Sequence, residues 1–274
     1  MTLSQSLQSA SLTDPGRVRD HNEDCIESRP DIGLYVLADG MGGYNAGEVA
    51  SGMATSLISD GLQETWNPRE SERLGRDQAK ADTERLIAEQ IARANNAIFT
   101  TSQNNPECAG MGTTLVVTLF FDNFMTVAHI GDSRLYRLRG DAMEQITRDH
   151  SLLQEQLDSG LITPEEAKLS QNKNLVTRAL GIDPTVEPEI HVYETQVDDS
   201  YLLCSDGLSD MVEDEEIRLT LITLRSNPNL TVQQLVQAAN DNGGRDNISA
   251  VLIRVAEPFG VPRGWVARLK ALFR

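Results

Sequence analysis

Cysteine is scarce in this chain: the 274 residues hold only Cys25, Cys108 and Cys204. An odd, sparse set of thiols makes no disulfide framework and fits a reducing cytoplasm. It also removes one route to phosphate-ester chemistry. A cysteine nucleophile of that kind needs an arginine six positions on, where this chain has Asp31, Thr114 and Asp210. Positive charge is in short supply too. Lys and Arg total 24 against 41 Asp and Glu, a formal net charge of -17, so nucleic acid is not an expected partner. No apolar run approaches the ~18 residues of a membrane span. Met1 to Thr13 has neither the basic start nor the apolar stretch of a secretion signal. No Pro/Ser/Gly-rich linker and no internal repeat divides the chain. The expectation is a soluble cytoplasmic monomer without a transmembrane segment.

What the chain does have is acid in particular places. Val36-Leu37-Ala38 ends in Asp39-Gly40-Met41-Gly42-Gly43, and Leu202-Leu203-Cys204-Ser205 ends in Asp206-Gly207. In Arg245-Asp246-Asn247 the order is reversed, with the aspartate just ahead of the apolar run Ile248 to Val255. Each reads as a buried strand that delivers a carboxylate to its rim. Bringing several carboxylates together gains nothing by itself, since a like-charged pair at ~5 Å costs roughly 3 kcal/mol at an effective dielectric near ~20. Convergence of the three ends therefore implies a cation held by oxygen ligands.

Strand patterns extend over Gly33 to Ala38, Thr113 to Phe120, Phe124 to Ile130, Leu135 to Leu138, Ile190 to Tyr193, Ser200 to Cys204 and Ile248 to Val255. Asp122-Asn123 and Gly140-Asp141 supply turns, and the short spacings favour antiparallel pairing. Helical spacing predicts one helix opened by Asn45 with Glu48, carrying Val49, Met53, Leu57 and Leu62 on its face. A second runs from Gln78 to Thr100 with Ile87, Ile91, Ala94 and Ile98 inward. Two more are expected at Glu213 to Leu224 and Val232 to Asn240, the last opened by Thr231. Short helices at Ser151 to Leu157 and Thr163 to Lys168 flank Ser159-Gly160.

Six landmarks then follow in order: Arg19-Asp20-His21-Asn22-Glu23-Asp24, Asp39-Gly40-Met41-Gly42-Gly43, Gly112-Thr113-Thr114, Gly131-Asp132-Ser133-Arg134, Asp206-Gly207 and Asp246-Asn247. Together they resemble the metal-dependent protein phosphatases of the PPM (type 2C) family in their compact bacterial form, from about Leu12 to Val255. The resemblance implies an α+β fold, a four-layer α/β/β/α sandwich on two central antiparallel sheets. It places the catalytic domain at 1–256, with a flap at about 149–177, and leaves 257–274 as a basic tail. It implies hydrolysis of phosphoserine and phosphothreonine by direct attack of a water bridging two Mn²⁺ or Mg²⁺ ions, opposing a bacterial Ser/Thr kinase. Oxygen-only ligands suit either ion. By motif match, Asp39 bridges the metals, Asp206 and Asp246 complete one set, and the Gly40 carbonyl with Glu23 serves the other. Asp132 with Asp206 matches a third, weaker metal position. Asp24 and Asn247 stand behind the ligands, and Arg19 grips phosphate through its planar fork. His21 is a candidate substrate contact.

One departure stands out. Eukaryotic members often carry a histidine after the first Asp-Gly, where this chain has Met41, so no general acid is assigned. A catalytically silent phosphoprotein-binding module would be marked by lost ligands, yet Glu23, Asp39, Asp206 and Asp246 are all present. A calcineurin-like phosphoesterase needs Asp-x-His and Gly-Asn-His, which do not occur. The tail puts Trp265, Leu269, Leu272 and Phe273 at helical spacing, with Arg263, Arg268, Lys270 and Arg274 and no acid. It fits an anionic membrane surface, a partner, or the acidic body of the chain itself.

Overall fold

The computed structural model describes residues 3–43, 46–68, 75–163, 166–167 and 175–261. After a turn at Leu3–Ser6 come β1 (Leu7–Asp14), β2 (Asp24–Arg29), β3 (Leu34–Met41), α1 (Ala46–Thr65) and α2 (Arg76–Asn104). Then follow β4 (Gly112–Thr113), β5 (Leu115–Phe121), β6 (Phe124–Ile130), β7 (Arg134–Arg139), β8 (Ala142–Gln145) and α3 (Leu152–Asp158). The chain continues with β9 (Glu189–Glu194), β10 (Ser200–Cys204), α4 (Asp206–Ser209), α5 (Asp214–Thr223), α6 (Pro228–Asp241) and β11 (Ile248–Val255). One sheet has the order β1-β11-β10-β7-β8 and the other β2-β3-β5-β6-β9, with β4 paired to the end of β3. Every strand pair is antiparallel.

Strand parity builds the layers, because successive side chains point to opposite faces. Leu34, Val36 and Ala38 of β3 pack with Leu115, Val117 and Leu119 under Ala50, Ala54, Ile58, Ile87 and Ile91 of α1 and α2. Leu202 and Cys204 of β10 join Ala250 and Leu252 of β11 under Ile217, Leu221, Leu235 and Val236 of α5 and α6. The other parity fills the space between the sheets: Tyr35, Leu37, Val116, Phe120, Tyr201, Leu203, Val251 and Ile253. Helices thus lie outside both sheets, and the four-layer order follows. Among the described residues, no helix is long and apolar enough to cross a membrane.

Several expectations shift. β3 does not stop at Ala38 but runs on to Met41, because Gly40 and Met41 pair with Thr113 and Gly112. The strand expected over Thr113 to Phe120 is broken at Thr114 into β4 and β5. On α1 the buried face is Ala46, Ala50, Ala54, Ile58 and Leu62, while Val49 and Leu57 are exposed. Small residues there let the helix lie close against β3, a stripe that a search for large apolar side chains overlooks. α6 starts at Pro228, with Asn227 as its cap accepting from the Leu230 amide, and not at Thr231. β1, β2 and β8 were not expected; each has a half-buried or mixed pattern. The Asn45 cap, part of the Thr163–Lys168 segment and the tail from 262 lie outside the described residues.

The β5–β6 turn shows how local chemistry fixes register. Asp122 and Asn123 have φ of 45° and 60°, the left-handed pair a two-residue hairpin demands. Their side chains then accept from the Val261 and Phe259 amides, at 2.6 and 2.7 Å. This pins the segment after β11 to the end of the sandwich away from Asp39. Phe120 beside that turn meets Tyr35, Tyr201 and Phe259 edge-on, with ring centroids 6.0, 5.5 and 6.3 Å away. Phe120→Ala is expected to lower the unfolding free energy by about 3–5 kcal/mol. Urea denaturation reads this, and a loss under about 1 kcal/mol would mean the inter-sheet layer relaxes around the gap.

Candidate metal centre

The same parity that builds the inter-sheet core ends in acid. Tyr35 and Leu37 face inward, so the next residue of that parity, Asp39, meets the rim of the layer between the sheets. On β2, Asp24 lies opposite Asp39 in register, two residues before inward-packed Ile26. Asp206 opens α4 directly after β10, and Asp246 precedes β11. Asp132 sits in the turn between β6 and β7, whose Gly131 has φ of +100°. The charges of Asp24, Asp132, Asp206 and Asp246 all reach Asp39.

Burial lifts the Asp39 carboxyl well above the usual range, and Asp24, Asp206, Asp132 and Asp246 push it further. Asp206 is raised in the same way by burial, then by Asp132, Asp210 and Asp246. Asp24 is pushed up to about 7 by burial, against the opposing hydroxyls of Ser249 and Ser205. Asp132 rises to about 6, first through burial and then through Asp149. Glu23 is raised by burial, while the Gly47 amide and Arg19 pull it back.

Neutral groups hold these acids in place without cancelling their charge. Thr114 Oγ1 accepts from the Asp39 amide at 3.1 Å, while Thr113 Oγ1 donates to the Asp39 carbonyl at 2.8 Å. Ser205 Oγ donates to Asp24 Oδ2 at 2.8 Å. Asn247, 5 % exposed, binds the whole loop before β2. Its Oδ1 accepts from the Glu23 amide at 2.8 Å, and its Nδ2 donates to the carbonyls of Pro15 and His21 at 3.0 and 2.9 Å. Gly207 is needed for that contact, since a β-carbon there would run into the Asn247 carbonyl. Gly40 needs its missing side chain for packing: a β-carbon would strike the carbonyls of Gly47 and Glu23.

Arg19 lies in the loop between β1 and β2, just after the turn at 16–18. It still reaches the cluster, with Nη2 2.7 Å from Asp246 Oδ2 and Glu23 and Asp206 close enough to raise its pKa. Both partners of the Arg19–Asp246 pair are partly exposed, so the pair is weak and exchangeable. His21 contributes a backbone carbonyl to Asn247, and the residue is exposed. Residues the sequence reading missed include Ser205, Ser249, Ser133 and Gly47. Ser205, inside Cys204-Ser205-Asp206-Gly207, and Ser133, inside Gly131-Asp132-Ser133-Arg134, carried a signal in their neighbours.

The donor set fits a hard divalent cation. It is all oxygen, it gathers negative charge at one rim, and Glu23 Oε1 and Asp24 Oδ1 are buried without a hydrogen-bond partner. The Protein phosphatase 2C family model matches residues 8–248. This chain belongs to that family. It is 38 % identical over 244 residues to the serine/threonine phosphatase stp of Listeria innocua, covering 88 % of this chain and 93 % of that protein. The crystal structure of the Mycobacterium tuberculosis serine/threonine phosphatase PstP/Ppp superposes with a TM-score of 0.81 at 37 % identity, over 92 % of this chain and 99 % of that one. The catalytic domain of PstP in complex with two manganese ions gives 0.78, again at 37 % identity with 92 % and 99 % covered. Like its family, the protein is a metal-dependent phosphatase.

The raised carboxyls set a pH dependence. Groups whose folded pKa lies above the ordinary carboxylate value hold more protons folded than unfolded. Their contribution to metal-free stability is complete below about pH 4 and is lost as pH rises through about 6 to 7, the values of Asp132 and Asp24. In excess chelator the melting temperature is expected to fall between about pH 5 and pH 8. Asp39→Asn is expected to flatten that fall. A chelated wild-type protein that grows more stable over this range would contradict the repulsion.

Proposed function

We propose that this protein serine/threonine phosphatase hydrolyses phosphoserine and phosphothreonine esters by direct attack of water, with Asp39, Asp206, Asp246, Glu23 and the Gly40 carbonyl holding a pair of Mn²⁺ or Mg²⁺ ions. When bound, such a pair lowers the pKa of water and neutralises charge on the phosphate. The observation that carries the reading is the meeting of Asp39 with four other aspartates at one rim, on a chain of this family. Asp39 has a central place, since Asp24, Asp206, Asp132 and Asp246 all act on it. Asp132 with Asp206 offers a third, weaker position, consistent with their mutual electrostatic influence.

The remaining groups position and admit substrate. Arg19 releases Asp246 and closes its guanidinium on two phosphate oxygens, a bidentate grip suited to its planar fork. Asn247 fixes the loop that carries Arg19 and Glu23, and Asp24 backs Asp39 across the β2–β3 ladder. His21 carries no step. Half-buried Met41 has no proton to give, so the leaving alkoxide takes its proton from water. The substrates are phosphorylated proteins, and the enzyme opposes a Ser/Thr kinase. The basic tail supplies a stretch of positive charge on an acidic chain, suited to a peripheral anionic contact.

Phosphate release from a phosphothreonine peptide should require Mn²⁺ or Mg²⁺ and stop on chelation. Asp39→Asn is expected to lower kcat by at least about a thousandfold, roughly 4 kcal/mol of barrier. Arg19→Ala should raise KM about tenfold with a smaller effect on kcat. Turnover that survives both chelation and Asp39→Asn would overturn the two-cation reading. A wild-type protein that binds phosphopeptide without turning it over would instead favour the silent module.

A further inference from the structure

Behind the acidic rim lies a second cluster that the mechanism does not use. His129 at the end of β6, His150 just before α3 and Glu189 at the start of β9 bring ligand atoms within 4.8 Å of one another. The composition suggests a transition metal, but the hydrogen bonds oppose one. His150 Nδ1 accepts from the Gly131 amide at 3.2 Å, so the ring proton is on Nε2, which donates to Glu189 Oε1 at 3.1 Å. Both nitrogens of His150 are therefore engaged. His129 Nε2 donates to the Arg148 carbonyl at 2.8 Å, and burial disfavours its charged form. The two rings stack with centroids 4.7 Å apart. The cluster is a structural hub.

Its position is what matters. The His150 amide donates to the Gly131 carbonyl at 2.9 Å, and the His150 carbonyl accepts from Thr177 at 2.8 Å. Leu152 takes the Leu175 carbonyl at 2.9 Å, and Ser151 bridges Val176. His150 thus stands where the chain enters the 149–177 segment, bonded to the residue where it leaves. One residue earlier, Asp149 is held by Arg134 through Nε at 3.0 and 3.1 Å and Nη2 at 2.7 Å. The Gly131-Asp132-Ser133 turn is fixed from its other side by Thr114. Thr114 Oγ1 shares a 2.7 Å hydrogen bond with Ser133 Oγ, and a β-carbon on Gly131 would come 2.7 Å from the Thr114 side chain. The turn carrying Asp132 is gripped by Thr114 on the Asp39 side and by His150 on the flap side.

We propose that His150 is a positioning residue that clamps the base of the 149–177 flap to the Gly131 amide and so fixes Asp132 at the rim of the metal centre. The proposal rests on the reading of Asp132 as a ligand of the weaker ion. Removing an outer-shell support of this kind typically weakens metal binding by about 10- to 100-fold. The described base of the segment and Asp132 then move together: displacing His150 displaces Asp132.

The full chain carrying His150→Ala, His150→Asn or His150→Gln tests this. Asparagine can still accept from the Gly131 amide; glutamine can reach only toward Glu189. For H150A the Mn²⁺ concentration giving half-maximal phosphatase activity should rise about tenfold, and Mn²⁺ titration by calorimetry should show the matching loss of the weakest site. Amide hydrogen exchange should speed up at Gly131 and at 175–180 while β10 and β11 stay protected. H150N should recover most of the wild-type Mn²⁺ requirement, and H150Q should not. If H150A does not fold, the same ordering of H150N over H150Q decides the matter. The clamp is refuted by a folded H150A with wild-type exchange and Mn²⁺ requirement, or by H150N no better than H150Q. A wild-type enzyme with no Mn²⁺-dependent activity would instead sink the metal reading, and exchange at Gly131 would then judge the clamp alone.

Discussion

Repulsion among the carboxylates of Asp24, Asp39, Asp132, Asp206 and Asp246 is the constraint around which this structure is arranged. Isolated in water, each would ionise near its ordinary pKa and drift apart from its neighbours. Here strand ends that belong to both sheets deliver them to one rim, and burial removes the water that would screen Asp24, Asp39, Asp132 and Asp206. Such a gathering costs stability until a cation arrives. That cost is the signature of a site kept for chemistry, as perturbed acids in a concave rim usually are.

The neighbours of the cluster make sense in that light. Hydroxyls and amides, not arginines and lysines, do most of the holding: Thr113, Thr114, Ser205 and Asn247 fix backbone and carboxylate oxygens while leaving the negative charge in place. Arg19, in contact with Asp246, is half out in solvent and paired weakly enough to let go. The strongly held arginines, Arg134 with Asp149 and Arg139 with Asp199, sit where they brace loops and strand ends.

Legibility in the sequence varied with how local the cause was. The β5–β6 hairpin was readable because Asp122-Asn123 carries its turn chemistry within itself. Likewise β10 and β11 are continuous apolar runs with nothing to compete, and their boundaries came out as expected. The face of α1 was read only in part: Leu62 and Met53 meet the core, but Val49 and Leu57 do not, because much of the contact stripe is alanine, whose small size matters only once a sheet is known to lie close beneath it. β1 and β2 escaped notice because each has one face toward solvent or the loop region, so their patterns are mixed.

Asp39, Asp206 and Asp246 could be named as acids at strand rims from the chain alone, because an apolar run beside an aspartate is a statement about a few consecutive residues. Parity could even have said that Asp39 shares a face with Tyr35 and Leu37. That these rims meet, that Asp24 lies across from Asp39, and that His150 reaches back to Gly131 were decided by strand order and loop closure. Those are long-range choices, settled by which buried faces find each other, and no stretch of sequence contains them.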